Sequence, residues 1–268
     1  MAKSKFEYVR DFEVETKCLQ NCWIVVRIDG KGFHKFTDKH GFRKPNDARG
    51  LTLMSRAAAR VMNEFRDVVV AFGHSDEYSF VFKKNTDIYS RRSEKILSLV
   101  TSLFSSSYVF FWPLEFPEKK LLYAPSFDAR IVLYPTVENL RDYMSWRQAD
   151  VHVNNLYNTC FWSLVLIKGL SREEAQNKLS GTVSSEKNEL LFQEFNLNYN
   201  KEPEMFRKGT TLVRKSVVFP NETKPKAVIV PLHCDIIKDK FWQENDEILN
   251  SNAIPLIEYK DDLLCFSK

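Results

Sequence analysis

The chain has 268 residues, 44% hydrophobic and 28% charged, with 39 Lys plus Arg against 35 Asp plus Glu and a net charge of +4. That is ordinary globular composition; it excludes a disordered or collagen-like chain and allows one large domain or two small ones. No apolar run reaches the ~20 residues a membrane span needs. The N-terminus holds no apolar stretch of a secretory signal, and the five cysteines (Cys18, Cys22, Cys160, Cys234, Cys265) include no C-x-x-C pair. The expectation is a reducing compartment and no membrane: cytoplasmic, with a nuclear or mitochondrial fraction left open.

Residues 23–28, WIVVRI, are a short β-branched apolar run and read as a buried strand. Gly30 and Gly32 follow and permit a tight turn. Residues 33–40 read as a short helix. Pro45-Asn46-Asp47 reads as the start of a longer helix, with Leu51, Met54, Ala58, Val61, Met62 and Phe65 at helical spacing. Two strands, 68–72 and 78–83, flank a turn at 73–76 and form a hairpin. A long helical pattern covers 88–111, and FDARIVLY (127–134) is a fourth strand stopped by Pro135. This β-α-β-β-α-β order is the ferredoxin-like arrangement, an α+β fold with an antiparallel sheet in the strand order 4-1-3-2.

After Pro135 the pattern is mainly helical. Residues 137–168 form one or two long helices, Ser171 to Glu174 a capping box, and 184–195 a further helix. Two β-rich stretches follow, 210–219 and 227–232. The expected division is a sheet-based unit over 1–135 and a mainly helical region over 136–268 packed upon it.

Asp29 directly follows the first strand, and Asp76 lies in the hairpin turn. With strands one and three adjacent, the two carboxylates converge at one end of the sheet. Such a pair repels unless protonated or bridged by a cation. Oxygen ligands of this kind suit Mg²⁺, which takes one or two carboxylates plus substrate phosphates. The Gly30–Phe33 turn offers amides to a triphosphate. Residues 31–49 carry six basic side chains against two acidic ones. That local excess equals the net charge of the whole chain and suits a phosphate-bearing partner. Arg91, Arg92 and Lys95 are expected to face the same edge. This constellation points to metal-dependent nucleotidyl chemistry, the bland alternative being a structural domain with polar strand ends. His233 beside Cys234 lacks a second ligand pair, so zinc is not expected.

RIDGKGFHKF (27–36), KPND (44–47), GHSDEYSFVF (73–82), SWRQADVHVNNLYNT (145–159), EKNELLF (186–192), FRKGT (206–210) and PLHCDII (231–237) resemble, in order, the motifs of eukaryotic tRNA-His guanylyltransferases. The resemblance spans about residues 3–243 and implies a polymerase-palm-like sheet that grows a tRNA in the 3′→5′ direction. ATP would activate the 5′-phosphate of tRNA-His, the 3′-hydroxyl of GTP would attack it, and pyrophosphate would be removed. By motif, Asp29, Gly30 and Asp76 would hold two Mg²⁺ ions, with Glu77 a neighbouring catalytic acid. Lys31, Gly32, Phe33, His34, Lys44, Asn46, Asp47, Ser75 and Lys95 would join them in binding nucleotide, and His152, Asn155, Lys187 and Lys208 would bind tRNA. A subunit of this size hardly spans both ends of a tRNA, so a homo-oligomer, a tetramer for preference, is expected. Two other readings stand beside this one: a nucleotide cyclase on the same sheet, and a non-catalytic RNA-binding module.

Overall fold

β1 (Trp23–Gly30) is apolar on both faces for most of its length. Ile24, Val26 and Ile28 pack into one core, and Trp23 and Val25 into another on the opposite face. By the period of two, Arg27 and Asp29 continue the second face, where the strand turns polar. The computed structural model describes residues 4–250, 253–260 and 264–266.

The strand is followed by α1 (Phe33–Lys39), α2 (Ala48–Glu64), β2 (Val68–His74), β3 (Glu77–Phe82), α3 (Ser93–Glu115) and β4 (Phe127–Tyr134). α2 and α3 pack on each other and cover the first core. Then come α4 (Val137–Leu166), α5 (Arg172–Leu179), α6 (Ser184–Phe195), α7 (Glu204–Lys208), β5 (Thr210–Val217), β6 (Lys226–Leu232), α8 (Asp239–Glu244), α9 (Glu247–Asn250) and β7 (Leu256–Ile257).

The sheet runs β4-β1-β3-β2-β5-β6, with antiparallel neighbours along that path and β7 parallel to β5. The first four strands take the order 4-1-3-2. The region after Pro135 is therefore not simply helical: it adds β5 and β6 to the same sheet. The fold is mixed α+β.

α4 is one helix of 30 residues, capped by the Thr136 hydroxyl. Its first half lies over the second face of the sheet through Leu140, Tyr143 and Met144. Its second half leaves the sheet and forms a separate cluster with α5 and α6 through Leu156, Cys160 and Leu164. The capping box expected at Ser171 and Glu174 is formed.

The helical pattern over 88–111 is interrupted. Tyr89, Ser90 and Arg91 have positive φ, so a 3-10 turn (Ile88–Arg91) precedes α3. Arg91 closes this turn, and its buried guanidinium donates to the carbonyls of Cys18, Leu19, Cys22 and Thr86. It staples the segment before β1 to the segment before α3. Arg91 does not face the Asp29 end of the sheet as expected.

Candidate active site

Asp29 ends β1 and Asp76 sits in the β2–β3 turn, with Ser75 beside it at φ 57°. The Gly30 amide donates to the Asp76 carbonyl at 3.1 Å. A side chain at Gly30 would meet the Asp76 Cβ at 2.8 Å and the Phe33 ring at 2.5 Å. Only glycine lets the two turns lie this close. The two carboxylates do converge at one sheet end.

Burial is the main force on both groups. It pushes Asp76 up to about 6, with Asp29 and Glu77 adding repulsion and the Ser75 hydroxyl, 3.0 Å away, opposing. Asp29 is also raised, by burial and then by Asp128, its register partner on β4, against the pull of Arg27, Arg130 and Arg147. No cation acts strongly on Asp76. The neighbouring guanidiniums bear on Asp29, whereas Asp76 stays raised by burial and by its acidic neighbours, a repulsion that a bound cation would relieve. No group of three or more His, Cys, Asp or Glu suited to a metal stands together among the described residues. Two carboxylates completed by ligand phosphates suit Mg²⁺.

The carboxylates open on a cavity of about 680 Å³, within the size range of small-molecule sites. One wall is His34, Lys44 and Asn46, from α1 and the loop after it. Adjoining it is an aromatic stretch: Tyr157, Phe161 and Trp162 of α4. Lys44 pairs with Asp38 at 2.8 Å and lies 5.4 Å from the Trp162 ring, whose environment also includes Arg172 at 5.3 Å.

Of the turn residues, Lys31 is exposed and its amide donates to the Ser126 carbonyl. Gly32, at φ 62°, starts α1 without a side-chain cap. Phe33 is core, stacked on Phe36 and packed against Tyr108 and Phe127. Its side chain anchors the turn, and only its backbone is placed to meet a ligand.

Asp47 is not available to read a base. It is the N-cap of α2, accepts from the Arg43 and Arg49 amides, and holds the Arg49 guanidinium at 2.8 Å. Lys95 is also displaced. The start of α3 sits beside the segment leading into β1, where Lys17 bridges Arg92. β1 begins at Trp23, six residues before Asp29, so Lys95 is separated from Asp29 by about 20 Å of strand. Arg92 pairs with Glu15 and Lys95 lies over Tyr89. The expected cationic cluster at the Asp29 edge is not formed by these residues.

The expected tRNA residues are scattered. Asn155 is buried, donates to the Tyr199 hydroxyl and accepts from Asn46 at 2.9 Å. It offers no free edge to a nucleotide base; it ties the Asn46 loop to α4. His152 is partly exposed and packs on Tyr199; burial and Arg207 hold its pKa down. Lys187 donates to the Thr182 carbonyl and hydroxyl. Lys208 pairs with Glu204.

Three groups at the site were not foreseen. Arg147, nearly buried on α4, donates to both oxygens of Glu77 at 3.1 and 3.2 Å. Arg27 approaches Glu77 at 3.8 Å. His74 is half-buried, and desolvation pulls its pKa down to about 4. The alternation along β1 could have put Arg27 beside Asp29. Nothing local signals that Arg147 meets Glu77 across seventy residues.

Residues 6–135 match the family model for tRNAHis guanylyltransferase, and residues 138–238 the model for the Thg1 C terminal domain. The chain is 59% identical over 249 residues to the probable tRNA(His) guanylyltransferase of Drosophila melanogaster, covering 93% of this chain and 86% of that one. The Dictyostelium discoideum protein of the same description is 56% identical over 255 residues, 94% and 100% of the two chains. The crystal structure of tRNA(His) guanylyltransferase from Saccharomyces cerevisiae superposes with a TM-score of 0.75 at 48% identity, over 78% of this chain and 93% of that one. A bacterial Thg1-like protein in complex with ATP shares the fold, with a TM-score of 0.71 at 19% identity, over 92% and 99%.

Proposed function

The chain belongs to the tRNAHis guanylyltransferase family, and from that premise we propose that it adds one guanosine to the 5′ end of tRNA-His. A 5′-phosphate oxygen of the tRNA attacks the α-phosphorus of ATP, forming an adenylate and releasing pyrophosphate. The 3′-hydroxyl oxygen of GTP attacks that phosphorus, the bond to AMP breaks, and the hydroxyl proton is lost. Pyrophosphate is then removed from the added nucleotide. The carrying observation is the convergence of Asp29 and the raised Asp76 in the lining of a nucleotide-sized cavity.

Asp29, Asp76 and the Gly30 carbonyl would hold Mg²⁺, and the first four strands would serve as a palm. Bound there, Mg²⁺ neutralises phosphate charge and acidifies the attacking hydroxyl. The chain itself supplies position and field, the main requirements of phosphoryl transfer. The Gly30-to-His34 backbone and Ser75 cradle the triphosphate, Lys44 adds charge, and the aromatic wall of α4 shields the reacting phosphorus from water. Residues 1–135 carry the chemistry. Residues 136–268 carry the tRNA contacts, with His152, Lys187 and Lys208 the residues for that role. We place the protein in the cytoplasm, with no membrane partner, as a homo-oligomer that shares one tRNA between subunits. Neither the cyclase nor the RNA-binding-module reading is favoured by the family.

The test is transfer of labelled GTP to 5′-phosphorylated tRNA-His with ATP and Mg²⁺. Wild type should label the tRNA, and Asp29→Ala and Asp76→Ala should each lose at least ~100-fold. An unlabelled tRNA overturns the activity; active alanine variants overturn the site. Sedimentation of a fully active monomer would refute the oligomer.

A further inference from the structure

Glu77 raises a problem that the carboxylate pair alone does not. It is the register partner of Asp29 across β1 and β3, so the two Cβ atoms are about 5 Å apart on one face of the sheet. Its charge also acts on Asp76. An unrestrained Glu77 would be a further carboxylate beside the pair, on the β3 side as Asp128 is on the β4 side, able to draw a cation out of line. It is restrained from the far side: Arg147 donates to both of its oxygens, and Arg27 lies 3.8 Å away.

Arg147 is costly to hold there. Its side chain is only 9% exposed, and its Nε is buried without a hydrogen-bond partner. Its guanidinium carbon lies 3.4 Å from the Trp146 ring centroid, and Asp150 is 3.6 Å from the charged end. A buried charge fixed on one face by a ring and at one end by a carboxylate has little freedom left. It also lines the cavity with Asp29, Asp76 and Glu77. Arg147 comes from α4, whereas the carboxylates come from β1 and the hairpin.

We infer that Arg147 is a positioning residue for the reaction: it draws Glu77 away from the cation site, so that Glu77 does not add its oxygens to those of Asp29 and Asp76 around the divalent ion. It acts chiefly through Glu77, beside its weaker direct pull on Asp29. The inference rests on the proposed function, and it assigns Glu77 the task of anchoring the α4 guanidinium.

The test compares wild type, Arg147→Met, Arg147→Lys and the double variant Arg147→Met/Glu77→Gln. Three quantities are measured: kcat and KM for GTP in the tRNA-labelling assay, Mn²⁺ binding by electron paramagnetic resonance without nucleotide, and thermal melting. Wild-type labelling establishes the activity first; its absence defeats the functional reading and not this one. Given that activity, Arg147→Met should lower kcat at least ~30-fold while KM for GTP changes less than ~3-fold. It should also bind Mn²⁺ more tightly, because a freed Glu77 joins Asp29. Removing that charge in the double variant should return Mn²⁺ binding to the wild-type curve and recover kcat by ~10-fold or more. A merely structural arginine would lower the melting temperature, leave Mn²⁺ binding unmoved and gain nothing from Glu77→Gln; that result overturns the inference. If Arg147→Met does not fold, Arg147→Lys decides. It keeps the charge but loses the planar stack, and should show the same changes at ~3- to 10-fold in kcat. Wild-type kcat and Mn²⁺ binding in Arg147→Lys would overturn the inference equally.

Discussion

At the scale of single residues, the site depends on the closeness of two turns. Gly30→Ala puts a methyl against Asp76 and Phe33, so the hairpin must shift. The expected outcome is a loss of ~100-fold or more in guanosine transfer with a melting temperature within a few degrees of wild type. Steady-state kinetics beside a melting curve check both. Asp76 gives a pH signature. Its folded pKa, about 6, lies above the ordinary ~4 of a free Asp carboxyl. The folded chain therefore holds this proton more tightly than the unfolded one. The associated stability is present below about pH 4 and is lost as pH rises through about 6. Asp76→Asn should stabilise the metal-free protein at pH 7.5 by on the order of 2 kcal/mol and by little at pH 4, while abolishing activity. Urea melts at the two pH values give the comparison, and equal gains at both would contradict it. Asp29 and Asp76 were legible because strand topology fixes where the two turns meet. Asp47 and Lys95 were not, because a motif match cannot tell a capping carboxylate from a free one, or one end of a strand from the other.

At the scale of elements, α4 organises the second half of the chain. Gln148 donates through its amide to the carbonyls of Lys208 and Cys234 and accepts from the Ile236 amide, each at 2.9 Å. One side chain thus holds the end of α7 and the segment after β6. Gln148→Leu strands two carbonyls and an amide, which should cost about 3 kcal/mol and lower the urea midpoint. Hydrogen exchange should rise at Ile236 before the sheet opens. A variant as stable as wild type would disprove this accounting. Gln148 and Asn155 lie seven residues apart and so share a helix face, with the exposed His152 at its margin. That is the face α4 turns inward: Gln148 and Asn155 are buried, and their amides serve the protein rather than a nucleic acid. Polar residues at helical spacing read alike whether they face solvent or a buried network, and only the packing partner distinguishes them.

At the scale of the molecule, the two halves share one sheet. Val25, Val70 and Val81 belong to the core that α4, β5 and β6 complete. A fragment ending at residue 135 would bare that face and the edge of β2. It should be insoluble or aggregate on gel filtration, where the full chain elutes as a defined species. A folded, monodisperse fragment would show instead that the first half is self-sufficient. The order of the first four strands was readable because local alternation and turn residues set each strand. The join of β2 to β5 was not, because two apolar strands carry no mark of which edge they will meet.

That join also sets a clock on synthesis. Val70 pairs with Val213, so β2 leaves the ribosome roughly 140 residues before its neighbour. At 5–20 residues per second, its hydrogen-bonding edge stands open for roughly 7–30 s. During that interval β3 can cover one edge of β2, but the nascent chain has nothing to pair the other. The protein's yield in a cell should therefore depend on translation speed and chaperone supply between residues 74 and 210 as much as on the stability of the finished fold.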